Sequence, residues 1–166
     1  MADALGYESW DQFVRALVPF LVRCGAAAIC GAIIGLEREL KEKPAGFRTN
    51  ILICLGSAMY MSAGLLLVHE AGETGTDVAR IAAQVVTGIG FLGAGCIIQE
   101  RGHVRGLTTA ATIWVVAAIG IIAGAGFPIL AFVAALAVVL TLAALDPFER
   151  LLDRAHPDDY WEKLEK

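Results

Sequence analysis

The feature that most constrains this chain is a stretch of 40 residues, 106–145, without one charged side chain. Two shorter runs share the property, 18 residues at 81–98 and 20 at 49–68. A helix rises about 1.5 Å per residue and needs about 20 apolar residues to cross the hydrocarbon core of a bilayer. Each shorter run is therefore one crossing, and the longest is too long for one. Its break is GAGFP at 124–128, where glycines and a proline favour a turn. A further apolar segment, 17–36, is interrupted only by Arg23. The expected fold is all-α and polytopic, with five membrane spans at 17–36, 51–68, 81–98, 107–123 and 127–145. It is flanked by an N-terminal segment, 1–16, and a short tail, 146–166. Composition agrees: 57% of residues are hydrophobic and 18% charged, against about half and about a quarter in soluble domains.

Basic residues orient the spans, because loops rich in Lys and Arg stay in the cytoplasm. The first loop, the third loop and the tail together hold ten, including Arg38, Lys41, Arg48, Arg105 and Arg150. The opposite side holds three: Arg15, Arg23 and Arg80. The N-terminus is expected outside and the C-terminus inside. The first residues lack the basic start of a signal peptide and carry Asp3, Glu8 and Asp11. Trp10 and Phe13 suit the outer interface. In the tail, Asp146 can cap and Pro147 can start a short helix ending before Pro157.

TGIGFLGAG, 87–95, contains Gly88-x-Gly90-x-x-Gly93, a literal dinucleotide-binding spacing. That fingerprint needs a preceding strand, a following helix and an acidic residue about twenty positions later. Here IAAQVV precedes the glycines and AGCIIQ follows them, all inside one uncharged run, and the region twenty positions onward offers no acid. Close helix packing is the stronger reading. At 100° per residue, Gly88 and Gly95 share a face with Gln84, while Gly90, Gly93 and Ala94 share another with Ala83, and small side chains let membrane helices approach. Span three is then expected to be central, packed on both sides. The alternative is an unwound segment whose backbone lines a site. Ala27-Gly31-Gly35 and Gly120-Gly124 repeat the small-residue spacing. They predict packing within one chain or between chains, and a homo-oligomer, a dimer, is expected.

Charges near a bilayer are costly and tend to be paired. Arg23, Asp77, Arg80 and Gln84 are the polar candidates toward the outer side. Arg23 either pairs with Asp77 or snorkels to the headgroups; Asp77 or Thr76 can cap span three. On the cytoplasmic side, Glu37, Arg38, Glu39, Arg48, Thr49 and Asn50 surround a turn at Pro44-Ala45-Gly46, and the third loop adds Arg105, Thr108 and Thr109. These form a candidate polar cluster between loops. Positive-inside anchoring with helix capping explains most of the same residues and is the favoured reading of them.

His69, His103 and His156 share no ligand spacing with Cys24, Cys30, Cys54 or Cys96, and the cysteines read as small apolar fillers. No metal site, cofactor site or catalytic constellation is expected, and therefore no enzyme. The absence of a basic patch with interleaved aromatics argues against nucleic-acid binding. Membrane lipid is the expected surrounding.

The segments GAIIGLERELKEKPAGFRTNILICLGSA, DVARIAAQVVTGIGFLGAGCII and VRGLTTAATIWVVAAIGIIAGAG resemble the MgtC/SapB family of bacterial inner-membrane proteins. The motifs occur in order at 35–39, 45–49, 80–95 and 105–114, and the resemblance covers roughly 23–145. It implies a small helical membrane domain. The best-known members are similar but continue into a cytoplasmic domain resembling an ACT fold, which this chain, as a short member, is expected to lack. The resemblance also implies adaptation to low magnesium and acid, survival inside macrophages, and regulation of other membrane complexes such as the ATP synthase. A regulatory protein acting by association is thus the leading reading. An ion transporter or channel, for Mg²⁺ among others, is the alternative; hard cations prefer oxygen ligands, and only Asp77 and Glu37 offer carboxylates near the membrane, at opposite ends of their spans.

Overall fold

The structure, a computed structural model, describes residues 10–71, 76–100 and 103–155. Five helices, α1 (Trp10–Leu40), α2 (Phe47–Ala71), α3 (Thr76–Gly95), α4 (Leu107–Gly124) and α5 (Pro128–Ala155), are joined by short connections. Each is long and apolar enough to cross a membrane, so the protein is an all-α, multi-pass membrane protein. Between α3 and α4 lies a hairpin of two short antiparallel strands, β1 (Ile98–Glu100) and β2 (His103–Arg105), in the register Ile98↔Arg105, Gln99↔Val104, Glu100↔His103.

The turns follow from local chemistry. At the end of α1 the Lys43 amide donates to the Arg38 carbonyl (3.0 Å) and the Glu42 amide to that of Glu39 (3.1 Å). That is a Schellman closure with Glu42 in the left-handed position at φ 53°. The α4–α5 turn repeats it with a glycine. Phe127 donates to the Ile122 carbonyl (3.2 Å) and Gly126, at φ 97°, to that of Ala123 (3.0 Å). Pro128 then opens α5, where its missing N–H costs nothing. Gly106 sits between hairpin and α4 at φ 89°, and a Cβ there would run into the Cys96 carbonyl, so only glycine fits.

Helices α1, α2 and α4 form the tight centre. A Cβ on Gly31 would stand 2.7 Å from the Asn50 carbonyl, and one on Gly35 2.8 Å from the Phe47 Cα. One on Gly120 would meet the Cys54 carbonyl, and one on Gly124 would stand 2.8 Å from the Ala58 Cα. The core between these backbones mixes small residues, Ala27, Cys30, Cys54, Ala58, Ala117 and Ala123, with the branched side chains of Ile34, Ile113, Val116 and Ile119, all fully or almost fully buried. Lipid tails are as apolar as leucine, so close van der Waals contact holds such a bundle rather than escape from water. Ser62 adds a buried cross-link, donating to the Gly124 carbonyl (3.1 Å). Larger side chains such as Leu21, Ile29, Leu67 and Leu140 face outward.

Three expectations are corrected. The central helix is α4, half of whose span is buried within the protein, and not α3, where the share is 6%. Glycines permit approach but do not choose the neighbour: Gly88, Gly90 and Gly95 meet nothing, and only Gly93 touches α4, at 3.7 Å from the Ala110 Cβ. They therefore do not pack helices within this chain, although α3 is continuous through them. Helix α1 extends past the expected span 17–36 at both ends and carries Pro19 within it. In α5 the helix runs on through Asp146-Pro147 to Ala155 with no separate tail helix; a proline removes one backbone donor without obliging the helix to end.

Candidate functional site

The first region to consider is the end bearing the α1–α2 turn and the hairpin, hereafter the basic end. Glu39 accepts a hydrogen bond from the Phe47 amide (2.9 Å), filling the first open donor of α2. A Cβ on Gly46 would collide with that carboxylate. Asn50 is fully buried; its Nδ2 donates to the Ala45 carbonyl and to that of Gly46 (2.8 Å), tying the turn to the first helical turn of α2. Glu37 lies 2.6 Å from the Lys41 ammonium, one turn on, and 3.8 Å from Arg38. Lys41 also reaches the Leu142 carbonyl of α5 (3.5 Å). Arg38 is buried, 3% exposed, at the end of the α1 stripe Ala27, Cys30, Ile34. The Nε of Arg38 and the Oδ1 of Asn50 have no hydrogen-bond partner.

Four of the sequence candidates, Glu37, Arg38, Glu39 and Asn50, are thus organised around one turn. The rest are not drawn in. Arg48, Thr49, Arg105 and Thr108 are exposed. Thr109 is buried on α4, and Thr108 contributes only its carbonyl, to the Thr112 hydroxyl (2.7 Å). The hydrogen bonds and ion pairs of Glu37, Arg38, Glu39 and Asn50 lie within α1, the turn and the start of α2. What the turn does chemically is cap, staple and neutralise.

At the opposite end, Arg23 of α1 reaches over the α4–α5 turn. Its Nη2 lies 3.3 Å from where a Cβ of Gly126 would stand. A cation there faces the carbonyl end of α4, where the helix dipole is negative. The Asp77 side chain, and with it the Arg23–Asp77 pair and the Thr76 cap, lies outside the described residues.

The third region was not legible as a site. A lateral groove of about 1230 Å³ opens between α2 and α3, floored by Ile113 of α4. The two helices run antiparallel, with Ile81 against Gly64. Arg80 stands toward one end of the groove and Cys96 toward the other. Gln84 and Tyr60 face it in between, both exposed, with no hydrogen-bond partner among the described residues. Gly56 and Gly88 line opposite walls, and a Cβ on either would meet nothing. Gln84 and Gly88 were marked in the sequence. Tyr60 and Gly56 were not, although Leu52, Gly56 and Tyr60 recur every four residues and so share a face.

The other side of α3 looks away from the bundle. Ala83, Thr87, Gly90 and Ala94 are exposed, and Phe91 is 81% exposed. The Thr87 hydroxyl turns back to the Ala83 carbonyl (3.0 Å), which hides its polarity. Among the described residues no group of three or more His, Cys, Asp or Glu is placed to hold a metal ion.

Five apolar helices, close backbone contacts at glycines and a polar turn at one end define a polytopic membrane protein. Its sequence relatives give the family. The family model described as "MgtC family" matches residues 25–151, and the chain belongs to the MgtC family. It is 44% identical over 144 residues to "Putative magnesium transporter YhiD" of Escherichia coli K12, covering 85% of this chain and 66% of that protein. It is 42% identical over 127 residues to "Protein MgtC" of Brucella abortus, covering 76% and 51%. With "Protein MgtC" of Salmonella typhimurium LT2 it shares 43% over 110 residues, covering 66% and 45%. The chain therefore spans about half to two thirds of the length of these relatives. No solved structure matches it.

Proposed function

We propose that this chain is a regulatory protein of the bacterial inner membrane that acts by binding membrane partners, a second copy of itself among them. Its setting would be adaptation to low magnesium and survival inside host cells. The observation that carries this reading is the outward face of α3. Ala83, Thr87, Gly90 and Ala94 form an exposed small-residue stripe on a helix only 6% buried in its own chain. Such a stripe lets another membrane helix approach backbone to backbone. Among the described residues it has no neighbour; a partner gives it one. The resemblance to longer family members supports an inner-membrane complex such as the ATP synthase as one such partner, and self-association as a dimer as another. The ten basic residues at the α1–α2 turn, hairpin and tail support a cytoplasmic C-terminus. The test is co-purification from native membranes of wild type and Gly90→Leu. The reading expects a stoichiometric partner, or a dimer, that the variant loses. A wild type that stays monomeric and alone counts against it.

Magnesium transport is the second reading, favoured by the name of the Escherichia coli relative. The described residues offer it little. Glu37 is held by Lys41 at 2.6 Å, with Arg38 beside it, and a divalent cation there would have to displace both positive charges. Vesicles containing the purified chain and a magnesium-sensitive dye decide the matter: uptake that Glu37→Gln abolishes would establish transport.

A further inference from the structure

We propose that the α2–α3 groove is a phospholipid site, occupied by one lipid of the leaflet on the Arg80 side. The groove presents three kinds of surface in the order that a phospholipid presents its own. Toward one end is Arg80, the one charged residue among the described residues that line it. Four residues deeper on α3, about 6 Å along the helix, is Gln84, with Tyr60 facing it from α2. Below them, Val85, Gly88, Ile89 and Leu92 face Ile53 and Gly56 down to Cys96, about 18 Å from Gln84.

A bilayer has matching layers. The headgroup region of one leaflet is about 5–7 Å thick and its share of the hydrocarbon core about 15 Å. A phosphate on the Arg80 guanidinium thus puts the ester carbonyls level with Gln84 and Tyr60, and one acyl chain along the apolar walls. Side chains on a helix lean toward its N-terminus. That tilts Arg80 and Gln84 toward the same headgroup layer, since α3 begins at that end. The guanidinium carries five donors, enough to serve a phosphate besides the contact it makes within the chain.

The polar pair is what selects this occupant. The Gln84 amide and the Tyr60 hydroxyl are donors inside the span with no partner among the described residues, and an unsatisfied donor facing hydrocarbon is costly. A plain alkyl chain leaves them so. Ester carbonyls accept from both. The two glycines supply the width: Gly56 and Gly88 support no helix contact, yet each costs helix stability relative to alanine. None of the residues of the stripe assigned above to protein partners lines this groove, and the site does not depend on that assignment.

The test is native mass spectrometry of the full chain in mild detergent, with phosphatidylglycerol as one probe and diacylglycerol of the same chains as the other. Wild type is expected to retain one phosphatidylglycerol and to prefer it at least about tenfold over diacylglycerol. Arg80→Ala should erase the preference. Gln84→Leu should weaken retention about tenfold, and Gly88→Leu, whose side chain enters the open groove, should abolish it. Gly90→Leu, which faces away from the groove walls, should change nothing, and melting curves report that each variant is folded. Equal retention of the two probes, or retention indifferent to Gly88→Leu and Gln84→Leu, would overturn the proposal. So would a dimer that buries position 84, read from its loss of thiol labelling as Gln84→Cys, and carries no lipid.

Discussion

The Cys54 carbonyl of α2 lies where a Cβ on Gly120 of α4 would stand. The same cysteine meets α1 from its other side, its Cβ 3.0 Å from the point where Gly31 would carry one. Three helices converge on this residue, and two glycines make the convergence possible.

Gly120→Ala should therefore be destabilising. The obstacle is backbone, which cannot rotate aside, so α2 and α4 must part. Overpacking of this kind costs about 1–3 kcal/mol, and SDS-induced unfolding in mixed micelles, followed by circular dichroism, measures it. Gly31→Ala, aimed at the Asn50 carbonyl at 2.7 Å, should cost a similar amount.

On α3 the same substitution should have the opposite sign. A Cβ on Gly88 or Gly95 meets nothing, so alanine there removes only the conformational freedom of the unfolded glycine. Gly88→Ala should stabilise by about 0.4–1 kcal/mol in the same assay. Equal losses at positions 88 and 120 would mean that α3 is packed as tightly as α4.

The contrast shows what was legible in the sequence. Uncharged runs and the GAGFP break mark the spans, because charge in hydrocarbon is costly whatever the fold. Gly31-Gly35 and Gly120-Gly124 stand out by their spacing, and in the structure they face neighbouring backbones. Gly88, Gly90 and Gly95 look the same in sequence and touch nothing, because spacing describes one helix and packing requires two. The basic-end candidates were visible one by one. Their division into a stapled group (Glu37, Arg38, Glu39, Asn50) and an exposed remainder (Arg48, Thr49, Arg105, Thr108) depends on turn geometry. The left-handed backbone of Glu42 and Ala45 and the hairpin at 98–105 carry no strong residue signature. The groove was hidden for a further reason: half of it belongs to α2, whose Gly56 and Tyr60 gain meaning only beside Gln84.

Glu42 holds a left-handed conformation, φ 53°, in the closure of α1. A residue with a Cβ pays about 1–2 kcal/mol for that position and glycine does not. Glu42→Gly should raise the thermal midpoint, less the freedom that glycine adds to the unfolded chain. Differential scanning fluorimetry in detergent reads the sign, and a lowered midpoint would mean that the Glu42 side chain carries a contact worth more than the strain.

Glu37→Gln should weaken the fold at the basic end. The carboxylate is 9% exposed and lies 2.6 Å from the Lys41 ammonium, and loss of a partly buried ion pair of this kind costs about 1–3 kcal/mol. Loss of stability without any change in magnesium flux fits a structural ion pair. Loss of flux at unchanged stability fits the transport reading.

Asn50→Asp should be more damaging than its single-atom change suggests. Both donors of the Nδ2 that bind the Ala45 and Gly46 carbonyls are lost, and a carboxylate would face those carbonyls while fully buried. The expected cost is about 2–4 kcal/mol, measured by the same SDS titration.

The most direct test of association through α3 is photo-crosslinking in native membranes, with benzoylphenylalanine placed at position 90 and, as a control, at Leu140, which lies 68% exposed on α5. The prediction is one discrete protein adduct at position 90, with a partner or with a second copy, and none at position 140. Adducts to lipid alone at both positions would contradict the association reading.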